Sequence, residues 1–222
     1  MDGALTADLL GPLNATEQTC APERLWLRGD RGLLAHHPRV AVVGTRHPSD
    51  EGKRRTRKLV RALVDANVVI VSGLARGIDT IAHTEALARG GRTIAVIGTP
   101  IDRAYPSENA ALQQRISESE LLVSEFAPGS VTSPSNFPRR NRTMALIADA
   151  SVIIEAGAES GVRSQGWATL RLGRPLFLLK SLVDSGVDWP TRMVEHGAIV
   201  LHDMTALHDA LSANAARAAR SL

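Results

Sequence analysis

VVIVSGLARGID, residues 68–79, is a β-branched apolar run that stops at a serine and a glycine and passes directly into a segment of helical spacing. The run has strand length, and its apolar residues are continuous rather than alternating, as in a strand buried on both faces. Runs of this kind recur at 40–44 (VAVVG), 93–97 (TIAVI), 120–124 (ELLVS), 151–155 (SVIIE), 175–179 (PLFLL) and 198–201 (AIVL). Between them lie helical segments such as 50–66, with Leu59, Val60, Leu63 and Val64 on one side, and 78–89, with Ile78, Ile81, Ala82 and Leu87. Strand and helix alternate. The chain therefore predicts a doubly wound α/β domain of three layers, α/β/α, around a mainly parallel sheet of about seven strands.

Residues 1–38 are broken by Gly11, Pro12, Pro22, Gly29, Gly32 and Pro38, and read as an irregular lead-in packed on the domain that occupies 39–222. No linker or internal repeat divides that domain. In the tail, 204–220, Met204, Leu207, His208 and Leu211 share helical spacing, suited to packing on the domain or on a second subunit.

Composition narrows the function. The 222 residues are 44% hydrophobic, which fits a folded globular chain, and only 3% aromatic, which limits base stacking. A formal net charge of +3 coexists with a pI of 9.6 because 23 of the 26 cationic residues are arginine and little else titrates above neutrality. Where the arginines lie matters more than their sum. Cys20 is the only cysteine, so no internal disulfide or thiolate-rich metal site can form, and a reducing cytoplasm is the expected compartment. No apolar stretch approaches membrane-spanning length, so no membrane association is expected. His36-His37 reads as a solvated pair without a partner carboxylate, and neither a metal nor a cofactor is expected.

In a parallel α/β sheet, ligands bind beyond the carboxyl ends of the strands. Four turns there carry chemistry. Gly44-Thr45-Arg46 offers backbone amides and a guanidinium to a phosphate, or is simply a tight turn with an exposed arginine. The turn Ser72 to Gly77, including Gly73 and Arg76, has anion-binding geometry at a helix start; Asp79 reads as a helix cap and His83 as part of a solvated face. Residues 98–106 bring Arg103 and the sole tyrosine, Tyr105, whose ring suits a base or ribose but equally covers a sheet edge. Asn136-Phe137-Pro138-Arg139-Arg140-Asn141-Arg142 is the densest, a turn with guanidinium forks, amides and one ring ahead of an apolar helix. On the helix 50–66, Arg54, Arg57, Lys58 and Arg61 lie opposite the apolar stripe, either solvated or extending a phosphate-binding path.

These residues together resemble the central domain of the DprA/Smf DNA-processing family. The resemblance rests on WLRG (26–29), VAVVGTR (40–46), VIVSGLARGIDTIAH (69–83), IAVIGTPIDRAYPSEN (94–109), LLVSEFAPG (121–129), NFPRRNR (136–142) and VIIEA (152–156), in that order. It implies an extended Rossmann-like fold, a homodimer, single-stranded DNA as ligand, no catalytic turnover, and a role in DNA processing, recombination and natural transformation that includes loading RecA. The DNA pocket carried over would hold Gly44, Thr45, Arg46, the turn Ser72 to Gly77, Asn136, Phe137, Arg139, Arg140, Asn141 and Arg142. The chain departs from the family where S-G-S-L-x-T-A is usual: here Ser160-Gly161-Val162-Arg163-Ser164-Gln165-Gly166 replaces small hydroxyl residues with Val162 and Gln165 and adds the charge of Arg163. Ser160, Gly161 and Arg163 remain candidate further contacts.

Two other classes compete. The wider superfamily includes the LOG nucleotide phosphoribohydrolases, so the same arginines might hold one nucleotide for a sensor, or for an N-glycosidic hydrolase with Glu155 or Glu159 activating water. The LOG motif P-G-G-x-G-T-x-x-E is absent. A third reading, an oligomer module built on 204–220, leaves the arginine-bearing loops without a purpose.

Overall fold

The computed structural model describes residues 3–203, 205–207 and 209–211. In chain order the elements are β1 (Ala4–Leu5), α1 (Thr6–Leu10), α2 (Ala15–Cys20), β2 (Arg24–Gly29), β3 (Arg39–Val43), α3 (Asp50–Asp65), β4 (Val69–Ser72), α4 (Ile78–Ala88), β5 (Thr93–Ile97), α5 (Ala110–Ser119), β6 (Leu121–Ser124), α6 (Asn136–Ile147), β7 (Ala150–Ile153), α7 (Val162–Arg171), β8 (Leu176–Leu179), α8 (Lys180–Val183), α9 (Asp188–Glu195) and β9 (Ile199–Leu201). The strands form a single sheet in the order β1-β2-β6-β5-β4-β3-β7-β8-β9.

Each of the seven apolar runs becomes a strand, and these seven pair in parallel. Burial on both faces explains their continuous hydrophobicity. On β3, Val40 and Val42 point to one side, where they meet Leu59, Val60 and Leu63 of α3 and Ala82 and Ala86 of α4. Ala41 and Val43 point to the other, into a core shared with Met144 and Ile147 of α6. Pleat alternation thus sends successive residues to two helical layers. A smaller third cluster, Ala95, Ile97, Leu122 and Ile116, packs α5 onto β5 and β6.

The sheet has nine strands rather than seven because the lead-in is not irregular. Arg24–Gly29 pairs antiparallel with β6, placing Trp26 opposite Ser124 and Leu27 opposite Val123. This strand buries Leu25 and Leu27, with Arg24 and Arg28 exposed, a period-2 pattern that the flanking glycines and prolines obscure in sequence. In the tail, Leu207 and Leu211 are buried with Leu201 and Phe177 on the α3 side, while Met204, His208 and residues 212–220 lie outside the described residues. Among the described residues no helix is long and apolar enough to cross a membrane.

Strand order reverses at β3. The chain first adds β4, β5 and β6 on one side of it, then returns to place β7, β8 and β9 on the other. The crevice between the β3 and β7 ends is the topological switch point, where such folds hold ligands.

Candidate nucleic-acid interface

A cavity of about 490 Å³ opens at that switch point. Its walls come from the β3 turn (Val43 to Arg46), the start of α4 (Ala75 and Asp79), the first turns of α6 (Phe137 to Asn141, and Met144) and the segment from Gly157 to Gln165 leading into α7. The size suits a small ligand or a few atoms of a longer one.

The sequence reading treats residues 136–142 as a turn, but they are the first two turns of α6. The helical period then assigns the three arginines different surroundings. Arg140 is 6% exposed; its Nη1 donates to the carbonyl of Gly73 and to that of Val96 at 2.8 Å, and its Nε donates to Asn141 Oδ1 at 3.0 Å. It stitches the ends of β4 and β5 to α6, and a Cβ on Gly73 would fall inside its guanidinium. Arg139 points outward, 3.0 Å from Glu125 Oε1, with its guanidinium 5.1 Å from the centre of the Phe126 ring. Burial raises the Glu125 carboxyl above its usual range against the pull of Arg139. Arg142 is exposed, with no ion pair among the described residues.

The turn after β4 is an anion cradle filled by the chain itself. Asp79, 5% exposed, accepts from the Ala75 N–H at 3.4 Å and lies in the field of Arg140. Burial pushes its carboxyl up to about 6. It is therefore a component of the cavity wall rather than a simple helix cap. His83 is fully buried, not solvated, with Nδ1 2.8 Å from Thr93 Oγ1, and burial holds its imidazole down to about 3. Gly77 has φ +76°, and a Cβ there would meet Thr45 O at 2.4 Å, so this glycine lets the β3 and β4 turns close on each other.

A model of the family described as DNA recombination-mediator protein A matches residues 7–212. The chain belongs to this family. It is 39% identical over 188 residues to the DNA processing protein DprA of Streptococcus pneumoniae, covering 84% of this chain and 66% of that protein. The X-ray structure of the pneumococcal protein superposes with a TM-score of 0.79 at 35% identity, over 90% of this chain and 70% of that one. A Helicobacter pylori DprA structure, described by its single-stranded DNA binding mode, gives a TM-score of 0.79 at 29% identity, over 96% and 95%. The chain spans about half the length of the curated relatives it matches.

The other family-derived candidates divide by position. Gly44, Thr45, Arg46, Phe137, Arg140, Asn141, Ser160 and Gly161 line the cavity. Arg46 stands exposed at its mouth with no ion pair among the described residues. Phe137 lies over Gly98, where a Cβ would come within 2.8 Å of the ring, and Tyr105 packs beside it, centroids 5.5 Å apart and planes tilted 46°. Asn141 is fully engaged, its Nδ2 donating to Gly161 O and to Ser164 Oγ, and so ties α6 to the start of α7. Asn136 is buried off the cavity wall, held by Ser133 Oγ. Ser72 is buried behind the wall, donating to Val42 O at 2.7 Å.

Several cations are brought elsewhere. Arg76 turns away to Glu108 at 2.5 Å, which raises its already high pKa further. On α3, Arg54 pairs with Glu51, and Arg57 and Arg61 both approach Glu85 of α4, so the exposed face is largely neutralised. Lys58 faces a separate groove beside Leu179 and Leu201. Arg103 is exposed, and Arg163 donates to its neighbour's loop at Ala158 O. His37 is not solvated but sits 2.8 Å from Asp149 Oδ2, and no group of three His, Cys, Asp or Glu side chains suited to a metal occurs among the described residues.

The two carboxylates of the hydrolase reading also separate. Glu159 is exposed on the cavity rim. Glu155 is occupied: its carboxylate accepts from Ser49 N at 3.1 Å and Ser49 Oγ at 2.8 Å, at the positive end of α3. We expect Glu155→Ala to lower stability by about 1–2 kcal/mol in urea unfolding, and Glu155→Gln, which keeps an acceptor, by less. An unchanged urea midpoint for Glu155→Ala would show that this cap is not used.

The residues missed by sequence reasoning are Asp79, Met144 and Gln165. Asp79 was visible only as a cap, and Gln165 only as a departure from the family pattern.

Proposed function

We propose that the chain is a single Rossmann-like domain that binds single-stranded DNA at the switch-point cavity and acts in DNA processing. The observation that carries this reading is the pairing of an uncompensated Arg46 with the Phe137 ring on one cavity wall, a phosphate partner beside a stacking surface. The family relationship, and the DNA-binding description of the Helicobacter pylori relative, support it. The arrangement makes phosphate contacts the main source of affinity, through Arg46 and Arg142 with Arg103 and Arg163 further out. Phe137 and Tyr105 supply the rings, and sequence preference is slight. Assembly as a homodimer, loading of RecA, participation in natural transformation and a cytoplasmic location belong to the same proposal, on the strength of the family alone. Glu155, tied to α3, offers no free base, which favours binding over N-glycosidic hydrolysis.

Anisotropy titrations of a labelled thirty-mer against NaCl test the reading. Arg46→Ala and Arg142→Ala should each weaken binding several-fold at low salt and flatten the log–log salt slope by about 0.7, the value for one phosphate contact on a single strand. Absence of binding at low salt would sink it.

A further inference from the structure

Gln165 is fully buried, yet it lines the cavity, and its Oε1 has no hydrogen-bond donor among the described residues. Proton counting fixes which way its amide faces. Thr169 Oγ1 donates its single proton to the carbonyl of Gln165, 3.0 Å away. Ser151 Oγ, 2.8 Å from Thr169 Oγ1, must therefore give its own proton to Thr169. Ser151 is left only as an acceptor, and it accepts from Gln165 Nε2 at 3.1 Å. The amide nitrogen is held inward and the oxygen is left over. An orphaned buried acceptor is costly unless a ligand supplies the donor.

We infer that Gln165 is a specificity-determining residue whose Oε1 accepts a hydrogen bond from an amino group of a nucleobase drawn into the cavity. The inference rests on the DNA reading and deepens it. The two cavity walls differ in chemistry: Arg46 and Arg140 stand on one, and Gln165 with the rim carboxylate of Glu159 on the other. Phosphate oxygens are attracted to the first and repelled by the acceptors of the second. The base therefore faces α7. An exocyclic amine of cytosine or adenine presents a donor at the leading edge, whereas thymine leads with carbonyl oxygens around a recessed N3–H. Sites with a buried acceptor reject analogues that lack the matching donor.

The test compares a (dC)20 strand with a strand of the same length in which 2-pyrimidinone, which lacks the 4-amino group, replaces cytosine, together with (dT)20, at fixed salt and pH 8. The unaltered protein should bind (dC)20 about tenfold more tightly than either. Gln165→Met, of similar volume, should bind all three alike with the salt slope unchanged; its melting curve reports whether it folds, and the base-analogue comparison needs no variant. Equal binding of the three strands by the unaltered protein, or a preference that persists in Gln165→Met, would overturn the inference while leaving the DNA reading standing. Failure of every strand to bind at low salt would overturn both. Free dCMP, competing as well as the strand, would identify a mononucleotide as the source of the base and overturn the strand assignment.

Discussion

Arg140→Met is expected to destabilise the fold by about 3–5 kcal/mol, the range for removing one member of a buried charged network. The guanidinium donates to the carbonyls of Gly73 and Val96, and both sit at the ends of buried parallel strands. Methionine fills much of the volume but donates nothing, so two strand-end carbonyls lose their donor. Asp79 loses the cation that partly offsets its own burial. For a domain of this size the melting temperature should fall by roughly 10 °C or more. Arg142→Ala, on the exposed face of the same helix, should leave melting almost unchanged while weakening DNA binding. The pair separates roles that their adjacency in sequence conceals. If Arg140→Met melts like the unaltered protein and loses only DNA affinity, its guanidinium is a phosphate ligand and the stitching role is wrong.

A second large effect is expected in the pH dependence of stability. His83 has its pKa held down to about 3 by burial, against 6.5 for a free imidazole. As pH falls from 6.5 towards 3, the unfolded chain takes up a proton that the folded chain refuses, and stability is lost. Asp79 works in the opposite sense. Its carboxyl, raised to about 6 by burial from 3.8, binds a proton in the folded chain that the unfolded chain does not hold. Between pH 6 and 4 this adds stability as the solution is acidified. The two contributions cancel across that window.

Removing one exposes the other. Relative to the unaltered protein, Asp79→Asn should lose stability as pH falls from 6 to 4, by on the order of 3 kcal/mol in total. His83→Gln should gain relative stability as pH falls below 6.5. Urea unfolding at half-unit pH steps measures both. The other groups around the pair are Arg140 and Arg46, which stay charged throughout, and the neutral hydroxyls of Ser72 and Thr93. Differences that do not vary with pH in either variant would show that neither group is held in its neutral form.

Much of the fold is legible in sequence because a strand buried on both faces writes a continuous apolar run, and all seven such runs lie where expected. The edge strand Arg24–Gly29 was hidden because it buries one face only and is short, its alternation diluted by Trp26 and bordered by Gly29 and Pro22. The NFPRRNR segment misled for another reason. Proline at the third position of a helix is compatible with the first turn, where its missing N–H costs nothing, so a Pro-containing polar stretch reads as a turn while folding as a helix. Its chemistry was recognised, but its geometry was not.

By itself the sequence determined the α/β class, the family, and the set of turns that converge at the strand ends, since these depend on local pattern and chain order. Tertiary structure alone decided which cations face a ligand. Arg140, Arg76, Arg57 and Arg61 are matched to carbonyls or carboxylates distant in the chain, and Arg46 and Arg142 are not. Charge compensation is a property of spatial neighbours. The same holds for Asp79 and Gln165, whose burial against the cavity, not their residue type, sets the proton state of one and orphans the oxygen of the other.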